Sequence, residues 1–141
     1  MKRNNTFSLI AQARGAANDY LSRELNAHGI NGLVPTHGGI LWALGRNGQM
    51  TMKELADEIR RNKSTVTALV SKLELQGYVE RISSEEDNRV TLVRLTEKGM
   101  DLRETFGEIS DGLMEVGLKE ISDEELDSFR ETLKKIIDNF D

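Results

Sequence analysis

Basic and hydroxyl side chains are concentrated between residues 60 and 73, where four basic residues occur without an acidic one. Apolar residues recur there at positions i, i+3, i+4 and i+7 from Val66 to Leu73, which predicts an amphipathic helix. Its other side can enter the major groove of DNA and hydrogen-bond phosphates and base edges. A Ser/Thr-rich helix that only faces solvent is the alternative. The candidate DNA-binding residues are Lys63, Ser64, Thr65, Thr67, Ala68, Ser71 and Lys72.

A second candidate for DNA contact is the polar stretch from Ser83 to Arg89, which joins two β-rich segments. An arginine at the tip of such a hairpin can reach into a minor groove. Asp87 lies two residues before Arg89 and is expected to hold the guanidinium extended through paired hydrogen bonds. Because Glu85 and Glu86 would be repelled by phosphate, an ordinary polar turn remains the alternative.

Other chemistries find no support in the sequence. With no cysteine, the chain has no disulfide, no thiolate zinc site and no catalytic thiol. His28 and His37 lack the spacing of a helical metal site, and Gly38-Gly39 is not followed by the Lys-Ser/Thr of a phosphate loop. We therefore expect no active site, no metal and no cofactor, and a protein that is not an enzyme.

The net charge of −5 is unevenly distributed along the chain. Residues 1–45 and residues 46–81 each sum to +2, and residues 82–103 sum to −1. Residues 104–141 hold 4 basic and 12 acidic side chains, a net charge of −8. One part of the protein can therefore attract phosphate while the C-terminal part repels it.

Four helices are predicted to position the first candidate surface. The first runs from Thr6 to about His28, and a short second helix starts at Pro35. The third follows a capping box formed by Thr51 and Glu54, and the fourth ends before Gly77. Two short helices joined by a tight polar turn are what a helix-turn-helix requires.

The remaining elements are a hairpin and two more helices. Residues 78–82 and 90–95 are rich in β-formers and predict the two strands of the hairpin. A helix opens at Thr96, and its four glycines favour a bend. The last helix follows a capping box at Ser122 and Glu125. The length of 141 residues fits one domain, 1–141.

Apolar stripes at both ends of the chain are too hydrophobic to be left in water. We expect them to pack across a two-fold axis and form a homodimer. The stripes comprise Phe7 and Ile10 near the N-terminus and Leu126, Phe129, Leu133, Ile136 and Phe140 near the C-terminus.

Several segments together resemble the MarR family of winged-helix transcriptional regulators. The resemblance lies in residues 63–70, in Gly77 to Arg81, in the tip Asp87-Asn88-Arg89 and in Leu95-Thr96-Glu97-Lys98-Gly99. It implies a mainly α-helical fold with a small β-hairpin wing. A winged helix-turn-helix lobe would span residues 33–98, and residues 1–30 and 99–141 would form the dimerisation helices.

The resemblance also implies a function, a sequence-specific regulator that binds double-stranded DNA at a palindromic operator as a homodimer, more often a repressor than an activator. Arg89, supported by Asp87, would enter the minor groove. The residues that would face the major groove are Ser64, Thr65, Thr67, Ala68 and Ser71.

Family members often respond to small aromatic or apolar ligands held between the dimerisation helices and the DNA-binding lobe. A matching pocket would be lined by Arg14, Tyr20, His37 and Trp42. The alternative for Trp42 is a place in the hydrophobic core, which is the commoner role for tryptophan.

Two further expectations concern partners and location. The alternative function is a winged-helix module for protein interaction without sequence-specific DNA binding, with the acidic C-terminal part as its binding surface. No apolar run is long enough to span a membrane, so we expect no membrane partner and a cytoplasmic protein.

Overall fold

The computed structural model describes residues 3–141, which form six helices and one small sheet. The three strands are antiparallel and lie in the order β1-β3-β2. The elements are α1 (Thr6–Ala27), α2 (Thr36–Asn47), β1 (Gln49–Met50), α3 (Met52–Ile59), α4 (Lys63–Leu75), β2 (Val79–Ser83), β3 (Thr91–Leu95), α5 (Glu97–Gly117) and α6 (Asp123–Asp138).

Side-chain caps fix the starts of the short helices. The Glu54 amide donates to Thr51 Oγ1 at 3.1 Å, and the Thr51 amide donates to Glu54 Oε1 at 3.0 Å. Ser122 and Glu125 form the same reciprocal cap before α6. Both predicted capping boxes are confirmed. Asn62 caps α4 by accepting a hydrogen bond from the Thr65 amide at 2.8 Å.

The predicted hairpin is confirmed, but the sheet contains a third strand that the sequence did not predict. In the hairpin, Arg81 of β2 pairs with Val93 of β3. On the other edge of β3, Gln49 and Met50 form the two-residue strand β1. So short a strand carries no detectable alternation. It forms because the turn at Gly48, with φ of 83°, directs the chain along the edge of β3 that β2 does not occupy.

The hydrophobic core lies between α2, α3, α4 and the sheet, and the middle of α5 closes it. Its centre is fully buried, since Leu41, Leu55 and Val66 are 0% exposed. Leu25 of α1 and Phe106 of α5 join the same cluster. Burial of this apolar surface is the dominant favourable contribution to the fold.

The start of α5 is locked onto the turn that follows α4. The Thr96 hydroxyl donates to the Gly77 carbonyl at 2.6 Å, and Lys98 Nζ donates to the Gln76 carbonyl at 2.7 Å. A Cβ on Gly99 would lie 1.9 Å from the Tyr78 carbonyl oxygen. Only glycine allows this approach, so Gly99 lets the Leu95 to Gly99 segment pack closely against the turn after α4.

Helix α5 is uninterrupted across all four of its glycines. Two of them lie against aromatic rings. A Cβ on Gly107 would lie 3.3 Å from the ring of Trp42, and one on Gly112 would lie 2.7 Å from the Tyr20 hydroxyl. These glycines therefore permit close packing of α5 on α1 and α2.

The ends of the chain contrast with this core. Helix α6 has no buried residue. Phe7 and Phe140 meet edge to face with ring centroids 6.1 Å apart, and they remain 59% and 77% exposed. None of the helices in residues 3–141 combines the length and apolar character required to cross a bilayer.

Candidate nucleic-acid interface

Helix α4 packs one face into the core and exposes the other. Val66, Val70 and Leu73 are 0% exposed and pack in the core, while Leu69 is partly buried. The buried arc predicted from the sequence is therefore confirmed. The five small residues predicted to face a major groove are all exposed, namely Ser64, Thr65, Thr67, Ala68 and Ser71.

A tight turn joins α3 to α4 and places basic residues at the start of α4. Arg60 ends α3 with φ of 56°, a left-handed conformation, and the Arg61 amide donates to the Ala56 carbonyl at 3.1 Å. Arg60, Arg61 and Lys63 are exposed around this turn. Their charges add to the positive end of the α4 dipole, so the turn favours phosphate binding.

Two hydroxyls on the exposed face of α4 already make hydrogen bonds. The Thr67 hydroxyl donates to the Lys63 carbonyl at 2.8 Å. The Ser71 hydroxyl accepts from Arg81 Nη2 at 3.2 Å, and Arg81 Nε donates to Glu74 Oε1 at 3.1 Å. The sequence pattern predicts both hydroxyls as donors to DNA, but the donor of Thr67 is used within the helix.

Arg81 and Glu74 were not predicted as part of this surface. Arg81 lies on β2 and Glu74 on α4, so their contact depends on how the wing packs against the helix. The basic side chain within Gly77 to Arg81 was the only sequence signal for this contact, and spacing alone could not assign its partner.

Lys72 was predicted to belong to the same surface, but its ammonium group is directed elsewhere. Its Nζ lies 3.2 Å from the position that a Cβ on Gly32 would occupy. The side chain therefore lies along the loop that precedes α2. The structure does not group Lys72 with the five exposed residues of α4, because position 72 is on the flank of the helix that faces this loop.

The wing tip holds one arginine in a defined orientation. Arg89 Nε donates to Asp87 Oδ1 at 3.1 Å, and Nη2 donates to Oδ2 at 3.2 Å. The hydrogen bond predicted between these side chains is confirmed. Arg89 lowers the pKa of the Asp87 carboxyl, through its side chain first and its backbone amide second. The Arg89 side chain remains 90% exposed, so it is free to reach a partner.

A cavity of about 590 Å³ opens between α1, α2 and the turn after α3. It contains Arg14 and Trp42 of the predicted ligand pocket. The other charged side chains in its wall are Arg46, Glu58 and Arg61, and Arg46 forms an ion pair with Glu58.

The other two residues of the predicted pocket lie outside this wall. Tyr20 packs its hydroxyl against Gly112 of α5. His37 is 2% exposed and lies inside the lobe. Both residues were predicted to line the ligand pocket, but their side chains extend from α1 and α2 toward α5 and the core rather than toward the cavity.

Trp42 lies at the surface, so its alternative assignment to the hydrophobic core is wrong. The side chain is 38% exposed. One face of its ring is covered by Arg103 of α5, whose Cζ lies 4.2 Å from the ring centroid. This cation–π contact orients the indole at the edge of the cavity.

His37 is a buried titratable group at the start of α2. Its Nδ1 accepts a hydrogen bond from the Val34 amide at 2.9 Å, and Nε2 has no hydrogen-bond partner within residues 3–141. Burial lowers the pKa of His37, and the charge of Lys72 lowers it further. The Val34 carbonyl oxygen, 3.2 Å from Nδ1, can accept a hydrogen bond from the protonated ring and therefore opposes that shift. The net effect favours the neutral imidazole. No group of three or more potential metal ligands occurs in residues 3–141.

Comparison with known proteins agrees with the geometry of this surface. The model of the MarR family matches residues 29–89. The HTH-type transcriptional regulator SarZ of Staphylococcus haemolyticus is 34% identical over 100 residues, which cover 71% of this chain and 67% of SarZ. SarZ is named as a regulator, as expected for a chain that is not an enzyme.

Two solved structures share the fold. A mutant of MarR from E. coli in complex with operator DNA aligns with a TM-score of 0.82 at 20% identity, over 96% of this chain and 99% of that chain. BpsR of Bordetella bronchiseptica, described with regulation of its DNA binding by 6-hydroxynicotinic acid, aligns with a TM-score of 0.85 at 16% identity over 98% of both chains. The chain belongs to the MarR family of helix-turn-helix transcriptional regulators.

Proposed function

We propose that this protein binds a palindromic operator as a homodimer and represses transcription there. The observation that carries the proposal is the exposed face of α4, where Thr67 and its small neighbours lie opposite a face that packs in the core. A helix anchored in this way can enter a major groove without losing its packing. Arg60, Arg61 and Lys63 would contact the phosphates that flank the groove.

The wing supplies the second contact. Arg89 is exposed, and Asp87 holds its guanidinium through two hydrogen bonds. Because the guanidinium is ordered before binding, less side-chain entropy is lost when it enters a narrow minor groove. Asp87 would act by orienting Arg89 rather than by touching DNA.

The second copy would pack against the ends of the chain. Phe7, Phe129 and Phe140 are each more than half exposed, and Leu126, Leu133 and Ile136 are only partly buried. Covering these side chains would remove a continuous apolar surface from water. A two-fold dimer would also present two copies of α4 to the two halves of a palindrome.

Release from the operator would follow binding of a small aromatic anion in the cavity beside Trp42. Arg14 and Arg61 give this cavity an excess of positive charge over the paired Arg46 and Glu58. The DNA binding of BpsR is described as regulated by 6-hydroxynicotinic acid, an aromatic acid. Arg61 lies in the turn between α3 and α4, so a ligand in the cavity would contact the turn that orients α4.

A mobility-shift assay with a salt titration tests DNA binding. With the DNA upstream of the protein's own gene as probe, the logarithm of affinity should fall linearly with the logarithm of salt concentration, because bound protein displaces counterions. Failure to bind this region and sites selected from a random library would contradict the proposal. That outcome would favour the protein-interaction alternative.

The single tryptophan of the chain allows a direct test of the ligand. Benzoate added to the protein should change the fluorescence of Trp42 in a saturable way and should release the operator over the same concentration range. Arg14→Gln should weaken both effects equally. Operator release without a change in fluorescence would show that the ligand binds elsewhere.

A further inference from the structure

The hydroxyl of Thr67 can only accept a hydrogen bond from DNA. A hydroxyl has one donor and two acceptor lone pairs. The Thr67 hydrogen is directed to the Lys63 carbonyl at 2.8 Å, within the same helix. Thr67 is exposed, so the two lone pairs of its oxygen are available to an outside donor. In the major groove the donors are the exocyclic amino groups of adenine and cytosine.

The hydroxyl of Ser71 has the opposite role, because it is arranged to donate a hydrogen bond rather than to accept one. Arg81 Nη2 donates to its oxygen at 3.2 Å, so the Ser71 hydrogen must point away from Arg81. Within residues 3–141 no oxygen accepts a hydrogen bond from Ser71, although the side chain is exposed. Ser71 is therefore prepared to donate to an acceptor such as purine N7, guanine O6 or thymine O4.

Glu74 fixes the position of Arg81 in this arrangement. Its Oε1 accepts from Arg81 Nε at 3.1 Å, which leaves Nη2 aimed at Ser71. Without Arg81, the Glu74 carboxylate would lack its partner and lie within reach of the Ser71 hydroxyl, three residues earlier on the helix. The guanidinium therefore keeps the Ser71 hydrogen available to the groove.

Thr67 and Ser71 lie four residues apart and share one face of α4. This separation is about 6 Å along the helix axis, against about 3.4 Å between successive base pairs along one strand. The separation corresponds to about two base-pair steps, so the two hydroxyls can contact different base pairs of one half-site.

We propose that Thr67 recognises a hydrogen-bond donor in the operator and Ser71 recognises an acceptor. Arg81 is the positioning residue that keeps the Ser71 hydroxyl as a donor. This proposal rests on the proposed function, since it requires α4 to lie in the major groove. Thr67 accepts from a base amino group, and Ser71 donates to a base acceptor.

The test removes single atoms from DNA. A duplex selected by the wild-type protein from a randomised library is synthesised with one base analogue at a time. Purine in place of adenine and 2-pyrimidinone in place of cytosine each lack the amino donor. 7-Deazapurines lack the N7 acceptor, 2-aminopurine in place of guanine lacks O6, and 5-methyl-2-pyrimidinone in place of thymine lacks O4. At one base pair, loss of an amino group should weaken wild-type binding about 3- to 10-fold and leave Thr67→Val unaffected. At another, loss of an acceptor should weaken wild-type binding similarly and leave Ser71→Ala unaffected.

Arg81→Met tests the positioning role. It should remove the sensitivity to acceptor loss as Ser71→Ala does, and the double variant should behave like Ser71→Ala. Arg94→Met is the matched control, because Arg94 is also a wing-strand arginine paired with a glutamate, Glu80 at 2.6 Å. The control should keep the acceptor sensitivity. Thermal melting checks that each variant is folded, and Ser71→Ala and Thr67→Val carry the test if Arg81→Met unfolds.

Three results would overturn the inference. One is acceptor sensitivity that persists in Ser71→Ala at every base pair, and another is amino-group sensitivity that persists in Thr67→Val. The third is folded Arg81→Met protein that keeps the wild-type response to acceptor loss. Failure of the wild-type protein to select any DNA sequence would instead contradict the proposed function itself.

Discussion

The central lobe of this protein buries its apolar side chains within the chain, whereas the helical ends leave theirs exposed. In the lobe, Leu41, Leu55 and Val66 are 0% exposed, and one capping box together with further side-chain hydrogen bonds holds the connecting turns. At the ends, α6 has caps as good as any in the lobe but no buried residue. Caps and favourable charges are therefore enough to define a helix, whereas a hydrophobic core requires a second apolar surface that packs on the first. In the lobe, other elements of the same chain supply this surface. At the ends, a second copy of the chain would supply it.

The largest expected effect comes from a charge placed in the exposed stripe of α6. Phe129 is 55% exposed in the single chain, so Phe129→Glu should leave the lobe folded. Across a two-fold axis each copy loses its buried ring, and dimerisation should weaken by about 4 kcal/mol, ~2 kcal/mol for each protomer. Sedimentation velocity at micromolar concentration measures this change.

Ser128→Glu is the control for that substitution, because Ser128 is exposed next to Phe129 but lies outside the apolar stripe. It should remain dimeric. A wild-type protein that sediments as a 15.9 kDa monomer would contradict the proposal that a second copy covers the exposed helical ends.

Alanine in place of glycine should have opposite effects in the two regions. At Gly99 a Cβ would lie 1.9 Å from the Tyr78 carbonyl oxygen, so Gly99→Ala should lower the free energy of unfolding by about 3 kcal/mol. At Gly15 in α1 nothing lies within 4 Å, and Gly15→Ala should raise it by about 0.5–1 kcal/mol. Urea unfolding measures both. Equal effects at the two sites would show that the lobe is no more tightly packed than the ends.

At the wing, Arg89→Ala should weaken specific binding by roughly 1–3 kcal/mol, most strongly at sites with narrow A·T-rich flanks. Asp87→Ala should have a smaller effect of the same sign, since it only releases the guanidinium. The double variant should bind like Arg89→Ala. Operator titration at fixed salt measures all three. Tighter binding by Asp87→Ala would show that the carboxylate merely repels phosphate.

The smallest effect is a dependence of lobe stability on pH. The pKa of His37 is lowered by burial, while in the unfolded chain it returns to its ordinary value of 6.5. Below that pH the unfolded state binds more protons than the folded state, so stability should decrease as the pH falls from 7 to 5. His37→Asn should reduce this slope. Urea unfolding at several pH values measures it, and equal slopes for wild type and His37→Asn would contradict the assignment.

The two regions also differ in what the sequence predicts. The face of α4 and both capping boxes follow from local spacing, because a helix brings residues three and four apart together. The Arg89–Asp87 pair is equally local. The β1 strand, the contact of Arg81 with Ser71 and the direction of Lys72 depend on packing between distant segments. The same is true of Trp42, whose surface position is set by Arg103, 61 residues later in the chain.

Operator affinity of Thr67→Glu tests the central claim, that α4 recognises DNA through its exposed face, most directly. Thr67 is exposed and packs against nothing in the core, so the variant should melt like the wild type. The added charge should meet phosphate and base edges and reduce specific binding at least about 100-fold. Ser128→Glu carries the same charge on α6 and should bind like the wild type. A folded Thr67→Glu protein that binds the operator with unchanged affinity would contradict the account.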